Sequence, residues 1–186
     1  MPLPRSVDDT HGRWPWLAAG AAGPVTALAV RHPAGRPLAA LLLHQTEEWF
    51  WPGGFLPRFN RQVLGSAEDE EPIDRRLGLF INVAFGWGLS AAAAAGPRAA
   101  APAALLYVSH LGNAALHVGW SLRARRYEPG LVTGLATLTP AAVVGLRALW
   151  TDPAASRRSV VAGAVAGAAF SVALPALLER RLRRVT

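Results

Sequence analysis

Apolar residues fall in long blocks separated by short polar or basic links, and the pattern predicts six helices. The first block covers residues 14–30, opened by Trp14 and Trp16, with Pro24 expected to kink it. The second covers 38–51, closes on Trp49, Phe50 and Trp51, and is stopped by Pro52, Gly53 and Gly54. It would be about 21 Å long, short of a hydrocarbon core about 30 Å thick. The third block is 77–95, the fourth 102–122 and the sixth 159–178. The fifth opens on Tyr127-Glu128-Pro129-Gly130, with Pro129 in its first turn, and runs to about Trp150. Residues 55–64 set Phe55, Leu56, Phe59 and Val63 apart from Arg58 and Arg61, the pattern of a short amphipathic helix lying on a membrane. The acidic run 68–71 reads as a solvated loop.

Polar positions inside these blocks are few and patterned. Gly78, Asn82, Gly86 and Ser90 recur at i+4, a packing face with one amide in it. Gly163, Gly167 and Ser171 form a second small-residue face. His110, Asn113, His117 and Ser121 share a stripe on the fourth helix, with Tyr107 at its edge. On the second helix His44, Glu47 and Glu48 stand at i, i+3 and i+4 and so share one face. At about 100° per residue, Glu47 and Glu48 fall near −60° and +40° from His44, one on each side. A charged side chain at a membrane-helix centre costs roughly 2.5–3.5 kcal/mol on insertion scales. A stretch that bears that cost calls for a partner or a ligand.

Composition agrees with a membrane protein: 52 % of the 186 residues are hydrophobic and mean hydropathy is +0.23. The net charge of +7 comes from arginine alone, placed between blocks and at the C-terminus. That points to topology and anionic lipid headgroups, not to nucleic acid. Without cysteine there is no disulfide and no thiolate ligand. Residues 14–30 are the one signal-peptide candidate, but Asp8 and Asp9 precede them, so a retained first span is expected. The expected organisation is an all-α polytopic bundle: a polar segment 1–13, one transmembrane domain 14–178 with an interfacial or cytoplasmic loop 52–76, and a basic tail 179–186.

Six crossings with both termini in the cytoplasm, at the cell (inner) membrane, put thirteen of the nineteen arginines inside. That topology brings His44, Glu47, Glu48, Asn82, His117, Tyr127 and Glu128 to similar depth near the cytoplasmic mouth. His110 lies about two turns deeper than His117.

These stretches resemble the HXXEE family of small integral membrane proteins. The motif is His44-Gln45-Thr46-Glu47-Glu48, and further signatures are matched by Asn113-Ala114-Ala115-Leu116-His117, by Tyr127-Glu128-Pro129-Gly130-Leu131-Val132-Thr133 and by Pro52-Gly53-Gly54-Phe55. The resemblance covers roughly 38–150. It implies an enzyme built on these residues and names no reaction.

Imidazole with carboxylate is a donor set for Zn or non-haem Fe. His44, one of the two glutamates and His117 would supply three ligands, with His110 a further candidate. Glu47 is favoured as ligand and Glu48 as general base, although their symmetry about His44 leaves the two nearly interchangeable. Asn113 would orient a ligand or hold a substrate carbonyl, and Tyr127 would donate to a developing oxyanion. The reaction would be hydrolase- or oxidoreductase-like, on a lipid or other hydrophobic molecule. Three other readings use the same residues: a proton- or ion-coupled transporter, a haem held by His44 and His110, and a hydrogen-bonded network that only fixes helix packing.

Overall fold

The computed structural model describes residues 7–69 and 73–185. The start of the expected polar segment and part of the acidic run lie outside the described residues. Everything regular among the described residues is helical. α1 is Val7–Arg31 and α2 is Arg36–Trp49, joined by a 3₁₀ turn at Pro33–Gly35. α3 is Phe55–Arg58 and continues as a π-helical turn, Phe59–Val63. α4 starts at Arg75–Leu79, passes through a π-helical stretch Phe80–Trp87 and ends as Gly88–Ala94. α5 is Ala100–Ala124. α6 is Leu131–Thr133, a π-helical turn Gly134–Leu138, then Thr139–Thr151. α7 is Arg157–Val185.

The six expected long helices are all present, but their ends differ. α1 begins inside the expected polar segment, and α7 runs on through the basic tail. α6 starts after Pro129, because Gly130 takes a left-handed φ of 96° and ends the preceding loop. Asp74 starts α4 by accepting the Leu77 amide at 2.7 Å, the expected N-cap chemistry.

Among the described residues, three helices are long and apolar enough to cross a membrane: Arg76–Ala94, Leu131–Thr151 and Arg157–Leu178. The expectation of six is therefore met by half on length and apolarity. α2 has only 14 residues, and nine of them are buried. α5 is long enough at 25 residues but carries His110, Asn113 and His117. Polar α2 and α5 lie inside, whereas α4, α6 and α7 turn Phe80, Leu135, Val144, Val165 and Val172 outward. This is the arrangement of a membrane protein, with the apolar surface outermost.

Close packing rests on small residues, as their spacing predicts. A Cβ on Gly167 would lie 2.6 Å from the Leu105 carbonyl oxygen, and one on Gly163 would overlap the Ala101 carbonyl. α5 and α7 can approach only because both positions lack a side chain. On α4, Gly78 takes the edge of Trp49 and Gly86 takes Leu41. Between them Gln45 donates to the Asn82 side chain at 3.1 Å and accepts from the Trp87 indole at 2.9 Å, which ties α2 to α4. Residues 55–64 depart from the expected surface-lying pose. Leu56 and Phe59 are buried against Ile73 and Leu178, and Phe59 meets Trp120 edge-on at 4.5 Å. α3 closes one end of the bundle because its apolar side finds the ends of α5 and α7.

Gly163→Val should therefore lower stability by about 3 kcal/mol, at the upper end for overpacking, since a backbone carbonyl cannot move aside. Gly119→Ala, where a Cβ meets nothing within 4 Å, should leave the thermal midpoint in detergent nearly unchanged. Equal midpoints for the two variants would contradict this packing.

Candidate metal site

α2 passes through the centre of the bundle and presents its motif to three different neighbours. His44 faces α5 and the start of α6, Gln45 faces α4, and Thr46 returns its hydroxyl to the Leu42 carbonyl at 2.7 Å. The two glutamates then part company.

Glu47 is held at the start of α6. One carboxylate oxygen accepts from the Tyr127 hydroxyl and from the Val132 amide at 3.1 Å. The other accepts from the Thr133 amide at 2.6 Å and from the Thr133 hydroxyl. Free amides at a helix N-terminus favour an anion, so the charge has a built-in partner. The Tyr127 hydroxyl is correspondingly harder to ionise. Burial comes first, and the neighbouring Glu47 carboxylate adds to it.

Glu48 points instead between two imidazoles. Its Oε1 lies 3.3 Å from His44 Nε2 and 2.9 Å from His117 Nε2. The three side chains are buried, and their ligand atoms lie within 4.8 Å of one another. Despite these separations neither Nε2 is aligned to make a hydrogen bond.

The proton inventory sharpens the point. Thr133 has one hydroxyl proton, and Glu47 takes it. The Thr133 oxygen, 3.1 Å from His44 Nδ1, must then accept from an Nδ1–H. In the neutral ring that assigns the His44 tautomer and leaves Nε2 as a lone pair beside a carboxylate oxygen, whereas in the imidazolium Nε2 carries a proton and pairs with Glu48. Two acceptors in contact in an apolar interior repel unless a cation lies between them. Two imidazole nitrogens and one carboxylate oxygen are a fitting donor set for Zn or non-haem Fe.

His117 is boxed by rings: His44 at 5.1 Å, Trp120 at 5.4 Å and Phe55 at 5.6 Å between centroids. Its remaining side is closed by Gly130. A Cβ there would sit 2.8 Å from His117 Nε2. The Glu128-Pro129-Gly130 turn thus serves the site by lacking a side chain.

Other expected site residues are placed differently. Glu47, favoured as a metal ligand from the sequence, lies outside the trio, because its oxygens are taken by Tyr127, Val132 and Thr133. Glu48, favoured as the base, is the glutamate that lies against both His44 and His117. Tyr127 faces Glu47 and not the trio. His110 lies two turns along α5 from His117, outside the group of close ligand atoms that His44, Glu48 and His117 form. Asn113 lines a cavity that begins at Glu48 and His117. The sequence marked Thr133 only as the end of the Tyr127–Thr133 signature and gave Gln45 no role beyond the motif. A hydroxyl in the first turn of a helix, facing a motif glutamate at matching depth, was the signal for Thr133.

The family described as a protein of unknown function with HXXEE motif matches residues 37–145, more than half of the chain and every residue of the site. Comparison with curated proteins and with solved structures found no match.

Thr133→Val removes both the donor to Glu47 and the acceptor for His44. It should cost about 1–3 kcal/mol, the price of leaving buried polar groups unpaired, and release the His44 tautomer as read by ¹⁵N NMR of the ring. Thr133→Ser should restore both. The raised Tyr127 pKa sets an alkaline limit. Below about pH 10 the phenol is protonated whether folded or unfolded, so its bond contributes in full. Above that the unfolded chain ionises first, and the contribution is lost as pH rises through the folded value. Tyr127→Phe should lower neutral-pH stability by about 1 kcal/mol, modest because the ring is 40 % exposed, and flatten the alkaline decline.

Proposed function

The chain belongs to the HXXEE family, and from that premise we propose that it is a metal-dependent membrane enzyme whose centre is His44, Glu48 and His117. The observation that carries this reading is the pair of buried Nε2 atoms packed on one carboxylate oxygen without a hydrogen bond. A bound Zn or Fe would supply a Lewis acid or redox centre with an open position for a water or a substrate oxygen.

The chain's own residues divide the remaining work. Thr133, backed by Glu47, holds the His44 ring in one tautomer and one orientation, so Glu47 is a positioning residue. Phe55, Trp120 and Gly130 fix His117 and keep water from it. Of the two motif carboxylates only Glu48 lines the cavity. Its second oxygen is the group placed to take a proton from a molecule bound there. Asn113 offers its amide to a carbonyl. The cavity wall is otherwise apolar and aromatic, which fits a hydrophobic small molecule or lipid as substrate, with hydrolase- or oxidoreductase-like chemistry.

The supporting topology has α1, α2, α4, α5, α6 and α7 as six crossings in one domain, 14–178, with both ends cytoplasmic at the inner membrane. The arginine distribution supports this orientation. The exposed Trp16, Phe50 and Trp51 form an aromatic belt at the end nearest the site. Reporter fusions near Arg36, Pro97, Arg125 and the C-terminus should then read out, out, in and in.

Purified protein should contain near-stoichiometric Zn, Fe or Mn and show no Soret band. His44→Ala, His117→Ala and Glu48→Gln should each lose most of the metal, because two of three protein ligands bind far more weakly. Glu47→Gln should keep at least half of it and lose stability instead. Full occupancy in both histidine variants would sink the centre. An absence of metal together with proton flux in liposomes would make the same cluster a transport site.

A further inference from the structure

A cavity of about 140 Å³ starts at Glu48 and His117 and runs along α5, walled by α2, α3, α4 and α7. Its volume is close to the roughly 150 Å³ of an apolar cavity that takes up benzene, so its enclosed part holds about six carbons. Asn113 lines it midway, and Ser109 and His110 line its far part. His110 is seven residues from His117, which is about 10 Å along a helix axis.

The far part is unusual for its unpaired polar groups. Ser90 and Ser171 return their hydroxyls to carbonyls one turn back at 2.8 and 2.9 Å, the ordinary way to bury serine in a helix. The Ser109 hydroxyl makes no such bond and is buried without a partner. His110 is 4 % exposed, and neither ring nitrogen has a partner. Each unpaired buried group carries a desolvation cost that a leucine or alanine would avoid. Both line the same cavity from adjacent positions on one helix. A neutral imidazole offers one donor and one acceptor, and a hydroxyl is the group that uses both.

The route in is equally apolar. α4 and α7 meet beside the cavity through a stacked pair, Phe85 and Phe170, with centroids 4.3 Å apart and planes 20° apart. Both rings are half-buried and line the cavity, so each also shows a face to the outside. The helices that carry them are two of the three apolar enough to cross a membrane.

We infer that this cavity takes the hydroxyl-bearing end of an apolar alcohol from the bilayer, past Phe85 and Phe170, with His110 and Ser109 binding the hydroxyl. The inference names the substrate class of the proposed metal centre and, as to reaction, rests on that proposal.

The test uses metal-free full-length protein in nanodiscs and a decanol carrying a diazirine on its chain. Irradiation should label peptides of α4, α5 or α7, and unlabelled 1-decanol should compete at least ten-fold better than decane or decyl methyl ether. His110→Leu should abolish that preference, and Ser109→Ala should reduce it. Since the unpaired imidazole is gone, His110→Leu should also melt higher than wild type without alcohol. Equal competition by decanol and decane, no labelling of these helices, or an unchanged preference in both variants would overturn the inference. Because metal is absent throughout, a retained alcohol preference beside failed metal binding would refute only the centre, and the reverse result only the alcohol site.

Discussion

An apolar bundle that holds two imidazoles against one carboxylate oxygen must neutralise that contact, and much of the structure can be traced to doing so. The charge on Glu48 has been removed from water and given only His44 and His117 as neighbours. A cation can satisfy all three, and so can protons. Thr133 accepts from the Nδ1–H of His44, so a proton on Nε2 would make that ring cationic and an ion-pair partner of Glu48. The elements around the trio then have legible roles. The turn at Gly130 clears the face of His117. α3 brings Phe55 to its edge and seals the end of the bundle.

The division between Glu47 and Glu48 shows what spacing can and cannot tell. Helix geometry placed both beside His44 and gave them nearly equal angles. Their difference is tertiary. The loop from Tyr127 to Thr133 comes to one side of α2 with a hydroxyl, two amides and a second hydroxyl, and His117 comes to the other. Nothing on α2 itself says which side is which. The shared depth of these residues was legible, because it follows from counting turns inward from the basic ends. Helix spacing pointed to His44 and His117 and left open which glutamate lies between them.

Hydropathy read the fold with the same mixture of success and loss. All six long helices could be seen as apolar blocks. The two that carry the site are the least suited to lipid, since every polar group they hold lowers their apolarity. Their place inside a ring of more apolar helices follows from that same property. Small-residue spacing predicted the α4 and α7 faces correctly, because a glycine at i+4 needs only a helix to become a groove. The inward turn of α3 was not legible. An amphipathic pattern faces lipid or protein equally well, and only the open ends of α5 and α7 decide between them.

The π-helical turn in α6 accounts for one further loss. Gly134–Leu138 inserts an extra residue into the register immediately after Thr133. The Thr139 backbone N–H accordingly donates to the carbonyl five residues back, Gly134, and the Thr139 hydroxyl donates to the same carbonyl at 2.9 Å. Before the insertion the helix aims Thr133 at His44 and Glu47. Within it Thr137 reaches both the Thr133 carbonyl at 2.6 Å and the Ala40 carbonyl of α2 at 3.2 Å. The insertion lets one helix meet α2 twice, at the site and one turn deeper, and still pack Ala142 and Leu149 into the core beyond. A regular wheel drawn through residues 131–151 misplaces the positions after Leu138 by about 100° relative to Thr133.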